Sequence, residues 1–154
     1  MTFSKSVNQL IAAINEALAE NNINSRIDDT QDFHLDEVSH ENLFSVKSAT
    51  RDNRILIELE ISPEGIKVGL DGHAEVLSWG RKLILGNLKE FKKFIADLFT
   101  QKIEVINYGE KLTTFQVRDS SNKCLRRFRV YKGLFFLKPW PRVKTAFAPF
   151  YSKH

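Results

Sequence analysis

The sequence predicts an α+β fold: two helix-plus-four-strand units forming an antiparallel curved sheet or two packed sheets, with helices on the apolar face. Three observations predict it. Two stretches place their apolar residues along one face of a helix, shorter stretches alternate apolar and polar residues as strands do, and the connections between strands are short enough to make neighbours antiparallel.

Val7, Leu10, Ile11, Ile14 and Leu18 recur at helical spacing, with Asn8, Asn15, Glu16 and Glu20 turned outward, so a helix is expected near residues 5–21. Ser4 or Ser6 can cap its start, and Asn21-Asn22 can end it. Residues 23–42 are polar and acidic, with Asp28, Asp29, Asp32, Asp36, Glu37 and Glu41, and read as a long connection with room for one short strand.

The period then changes. Ile55, Ile57, Leu59 and Ile61 alternate with Arg54, Leu56, Glu58 and Glu60, the pattern of a strand with one buried face. Ser62-Pro63-Glu64-Gly65 is turn chemistry, Ile66, Val68 and Leu70 resume the alternation, and Asp71-Gly72 suits the positive φ angles of a tight hairpin. With Leu43–Ala49 before them and His73–Trp79 after, these segments predict a four-stranded meander between residues 43 and 79.

Asn87 followed by Glu90 has the spacing of a capping box, and Leu88, Phe91, Ile95 and Leu98 line one face, so a second helix is expected over residues 88–100. Ile103–Tyr108, Leu112–Arg118, Cys124–Lys132 and Leu134–Lys138 then read as four more strands. The tail from Pro139 is excluded from a central strand by its prolines and is expected to be extended and docked. The element order, helix and four strands stated twice, is similar to that of the Whirly and Pur kinds of single-stranded nucleic-acid-binding fold, with no shared motif.

At 154 residues the chain reads as a single α+β domain, with an acidic half (1–80), a basic half (81–138) and an aromatic, basic tail (139–154). Cut after Val76, the first part holds 6 Lys+Arg against 14 Asp+Glu and the second 17 against 5, net −8 and +12. A half so basic suits a polyanionic partner, whereas two halves lying side by side would complement each other.

Cys124 is the only cysteine, which excludes an internal disulfide and any multi-cysteine zinc site and reads as a buried structural thiol. The amino terminus lacks the apolar run of a signal peptide, and no stretch is apolar for long enough to span a membrane, so a cytoplasmic protein without membrane association is expected. Gly80 and Gly86 flank Arg81-Lys82 without a phosphate-loop pattern, and no cofactor is expected.

Two groups of residues carry possible chemistry. In an extended segment His34, Asp36 and His40 project to one side, and imidazole with carboxylate is a metal-ligating set, although the spacing matches no metal motif. The other is basic and aromatic: Arg126, Arg127, Arg129, Tyr131 and Lys132 on one strand, and Trp140, Arg142 and Lys144 in the tail. Leu125, Arg127, Arg129 and Tyr131 alternate onto one face of that strand, while Cys124, Arg126, Phe128 and Val130 take the other. Arginines beside aromatic rings hold phosphates and stack bases, but the same arginines also guard an edge strand against aggregation. The expectation is therefore a non-catalytic binding protein for single-stranded DNA or RNA. The alternatives are a protein-binding module, such as an immunity or antitoxin-type inhibitor offering its acidic segment to a cognate toxin, and a small metal-dependent enzyme.

Overall fold

A computed structural model describes residues 3–36, 42–109, 112–131 and 142–151. Among these residues the fold is α+β, with three helices and two antiparallel sheets of five and four strands, the helices packing on the sheets. By internal contacts the chain forms two compact units, Met1–Arg51 with Leu56–Ala96, and Asp52–Ile55 with Asp97–His154.

The first unit opens with helix α1 (Lys5–Glu20), whose start is capped by the Ser4 hydroxyl accepting from Val7 N at 3.3 Å. Val7, Leu10, Ile14, Ala17 and Leu18 are buried, and α1 packs on strand β3. Asn15, expected on the solvent face, is instead only 6% exposed. Its carboxamide accepts from Ile27 N at 2.9 Å and donates to Asp28 at 3.1 Å, so it ties the connection after α1 back to the helix.

The five-stranded sheet is a simple meander of β1 (Phe33–Leu35), β2 (Phe44–Ser48), β3 (Ile57–Ser62), β4 (Gly65–Leu70) and β5 (His73–Gly80). It contains the predicted four strands plus the short β1 at one edge. Asp71 and Gly72 take φ of 52° and 84°, as the β4–β5 hairpin requires. Where the β2–β3 ladder ends, the buried Ser48 hydroxyl accepts from Ile57 N at 2.9 Å. A short helix α2 (Arg81–Gly86), which six residues leave without a readable period, packs on β4 and β5. Asn87 ends it, donating its side-chain amide to the Leu83 carbonyl at 3.1 Å, rather than making the expected capping box with Glu90. Helix α3 (Leu88–Thr100) follows, and Trp79 of β5 lies 5.5 Å from the rings of both Phe91 and Phe94.

In the second unit the strand order is β8-β7-β6-β9, from β6 (Lys102–Tyr108), β7 (Leu112–Arg118), β8 (Cys124–Tyr131) and β9 (Arg142–Phe147). The segment Leu134–Lys138, expected as a strand, lies outside the described residues. Among the described residues the fourth strand is found instead in the tail, where residues 142–147 carry no proline and pair with β6 at the edge of the described sheet, the position a proline-flanked segment can take. Past β9, Ala148 N donates to the Asn53 carbonyl at 2.8 Å, Tyr151 N donates to the Phe99 carbonyl at 2.9 Å, and Phe150 is buried with its ring 6.1 Å from that of Phe99. The tail is thus docked by its aromatic end. Cys124 is half-buried rather than buried, its thiol 3.4 Å from the Arg126 carbonyl.

Candidate nucleic-acid interface

Among the described residues β8 is an edge strand, and its residues alternate between half-buried and exposed along its whole length. Leu125, Arg127, Arg129 and Tyr131 are exposed, and Tyr131 keeps 57% of its surface open. Residues directly opposed in an antiparallel ladder share a face, so the register says what joins them. Arg129, Thr114, Ile106 and Lys144 form one row across the four strands. Arg127, Gln116, Glu104 and Ala146 form the row on one side of it, and Tyr131, Leu112, Tyr108 and Arg142 the row on the other. Arg118 opposite Lys102 closes the sheet's end.

Among the described residues this face therefore carries the cations Lys102, Arg118, Arg127, Arg129, Arg142 and Lys144 and a single acid, Glu104. The middle of β6 and β7 is buried on both faces, so the cations most open to solvent stand on the two edge strands. Three strand spacings separate those edges, roughly 14 Å.

Glu104 is only 2% exposed and holds three of the cations. Arg118 Nε lies 2.8 Å from Oε2, and the ammonium groups of Lys102 and Lys144 each lie 3.3 Å from Oε1. Burial raises the Glu104 carboxyl, but the hydrogen bonds from Arg118, Lys102 and Lys144 outweigh it and hold it below its ordinary value. Arg127, Arg129 and Arg142 are different: among the described residues no ion pair involves any of them.

Arg126 does not join this group. It points to the opposite face of the sheet, where its Nε lies 3.2 Å from Asp97 of α3, because the two-residue period of a strand separates it from Arg127 and Arg129. Lys132 and Trp140 lie outside the described residues. Lys102, Arg118 and Tyr108 are additions that only strand pairing reveals, since their own alternation does not say which strand lies beside them.

Three carboxylates of the acidic segment, Asp28, Asp32 and Asp36, are engaged within its own unit. Asp28 receives hydrogen bonds from Arg26 at 3.1 Å and Asn15 at 3.1 Å; burial raises its carboxyl, and these bonds outweigh that and lower it. Asp32 pairs with Arg51 and Ser25, and Asp36 with Ser45 at 3.3 Å and Lys47 at 3.9 Å. His34 is exposed on β1, Asp36 is thus occupied, and His40 lies outside the described residues. Among the described residues no cluster of three His, Cys, Asp or Glu side chains is assembled to hold a metal. Likewise, no described helix is long and apolar enough to cross a membrane.

No protein family, no curated protein and no solved structure matches the chain.

Proposed function

We propose that this chain is a non-catalytic binding protein for single-stranded nucleic acid, DNA or RNA, and that β8 and β9 hold the strand. The observation that carries the reading is the set of exposed arginines on one sheet face, Arg127, Arg129 and Arg142, with no carboxylate among the described residues paired to any of them. An exposed guanidinium without a protein partner keeps its full charge and its donor fork for an external anion. Along β8, Arg127 and Arg129 are two residues apart, roughly 7 Å, a spacing at which successive arginines meet neighbouring phosphates of an extended strand. Tyr131, next on the same face, supplies a ring on which a base stacks, an interaction of about 1 to 3 kcal/mol.

The alternative in which the acidic segment meets a basic protein partner has less support, because Asp28, Asp32 and Asp36 already have partners inside the unit. The test is fluorescence anisotropy of the full chain with labelled single-stranded DNA and RNA across a salt series. Four neutralised phosphates, one each for Arg127, Arg129, Arg142 and Lys144, give a log-log slope of about −2.8, a loss of roughly fiftyfold between about 50 and about 200 mM salt. Arg127→Ala with Arg129→Ala should halve that slope. Absence of binding by the wild-type chain at low salt overturns the reading and makes a protein partner the working alternative.

A further inference from the structure

At the end of the sheet where β6 begins and β7 finishes, an open pocket of about 470 Å³ is lined by Lys102, Arg118, Asp119, Ser120, Asn122 and Pro149, among others. A volume in this range accommodates a small organic ligand rather than an ion alone. Lys102 and Arg118 are also the last pair of the cation-bearing face, so the pocket continues that face at its end.

The electrostatics of the pocket are set by an incomplete neutralisation. Glu104 supplies one negative charge to Lys102, Arg118 and Lys144 together, which leaves the cluster at a net charge of two positives. Asp119 also lines the pocket; its Oδ1 accepts from Ser121 N and Lys123 N, each at 2.9 Å, which ties it to the β7–β8 turn, and its negative charge leaves the pocket and cluster together at one net positive. The Arg118 guanidinium is fixed from three sides: Nε donates to Glu104, Nη1 to the Asn122 carbonyl at 2.9 Å, and Nη2 to the Gln116 side chain. Of its five N–H groups those bonds use three. Among the described residues Lys102 has one ion-pair partner, Glu104, and its side chain is 41% exposed. A guanidinium held in place with donors to spare, an ammonium with two more, and the Ser120 hydroxyl make a preorganised set for an anion with several acceptor oxygens.

We infer that this pocket seats a terminal phosphate monoester, the phosphorylated end of the strand held on β8 and β9. The inference rests on the nucleic-acid reading for its source of ligand, and the chemistry is shared by a free nucleoside monophosphate. A monoester differs from an internal phosphodiester in carrying a second charge and a third terminal oxygen, which are the features that the Lys102, Arg118 and Ser120 set can satisfy.

The experiment compares oligonucleotides of one sequence bearing a 5′-phosphate, a 3′-phosphate or hydroxyl ends, together with a hydroxyl-ended strand one nucleotide longer to control for the added charge. Nucleoside 5′- and 3′-monophosphates are titrated separately by calorimetry. The expected result is that one phosphorylated end binds about tenfold more tightly than the longer hydroxyl-ended strand, as one or two charge-assisted hydrogen bonds would give. That advantage should largely disappear in Lys102→Gln and shrink in Ser120→Ala, while Arg127→Ala weakens all strands alike and leaves the ratio intact. Equal affinity of phosphorylated and hydroxyl-ended strands overturns the pocket and leaves the sheet face standing. Binding of a monophosphate without any strand supports the pocket and removes the face reading, and binding of neither removes both.

Discussion

Replacing Glu104 by Gln removes the one carboxylate that the described residues place on the basic face, while keeping its shape. The wild-type carboxylate is 2% exposed and meets Arg118 at 2.8 Å and two ammonium groups at 3.3 Å. Breaking a buried ion pair by removing one partner costs about 3 to 5 kcal/mol when the other is left stranded. Here the stranding is partial: the side chains of Lys102 and Lys144 are 41% and 48% exposed and can turn to water, leaving Arg118, at 21%, as the cation that suffers. The Gln carbonyl still accepts one hydrogen bond, so a loss of about 2 to 3 kcal/mol follows. The pH dependence is a second signature. A carboxyl held below its ordinary value of 4.5 contributes stability that is complete above that value and disappears as pH falls through the folded-state value. Urea unfolding of wild type and variant should therefore differ most at neutral pH and converge as the medium is acidified below 4.5 and through the lower folded-state value. Binding should move the other way, with Glu104→Gln holding oligonucleotide at least as tightly as wild type, since the face gains a net positive charge. A stability loss under about 1 kcal/mol, or a gap between the two proteins that stays constant into acid, would refute this account of the cluster.

Asn15→Ala should cost about 1 to 2 kcal/mol in urea midpoint measurements, because the buried Ile27 N–H loses its acceptor and the better helix propensity of alanine recovers only part of that. Gly65 has φ of 149°, and an added Cβ would collide with the Trp79 carbonyl oxygen, so Gly65→Ala should lose about 2 kcal/mol or more in thermal unfolding. Gly72→Ala, with φ of 84° but nothing within 4 Å of the added carbon, should lose only about 1 kcal/mol.

Local periodicity made the helices and the meander legible. Val7, Leu10, Ile14 and Leu18 are the buried stripe of α1, and the alternation through Ile57, Leu59 and Ile61 is the buried face of β3. Asn15 was not legible, because a polar residue beside an apolar stripe reads as surface unless the chain that returns to meet it is known. Helix α2 is too short to display a period, and Asn87 lies between two helices, where its side chain ends one rather than starting the other. The same limit applies to the candidate site. The alternation that puts Arg127, Arg129 and Tyr131 together is local to β8, whereas their association with Arg142, Lys144, Lys102 and Arg118 depends on a strand order, β8-β7-β6-β9, that joins distant residues.

Arginines on an edge strand have a second physical explanation, protection of an open sheet edge against pairing with another chain, and the two explanations separate cleanly by the sign of the charge. Edge protection needs charge of either sign, since burying any unpaired ion against a neighbouring strand is costly. Phosphate binding needs positive charge. Arg127→Glu with Arg129→Glu keeps two charged side chains at the same exposed positions of β8, where no ion pair among the described residues involves the arginines they replace. Light scattering at high protein concentration should thus show the variant as free of aggregation as the wild type. Anisotropy should show strand binding reduced by more than tenfold, because two attractive contacts become repulsive and the salt slope loses at least two of its four contributions. If the variant aggregates while Arg127→Lys with Arg129→Lys does not, the arginines serve the edge in a way that depends on positive charge. If it stays soluble and binds as tightly as before, the basic face is edge protection alone and the strand must be held elsewhere.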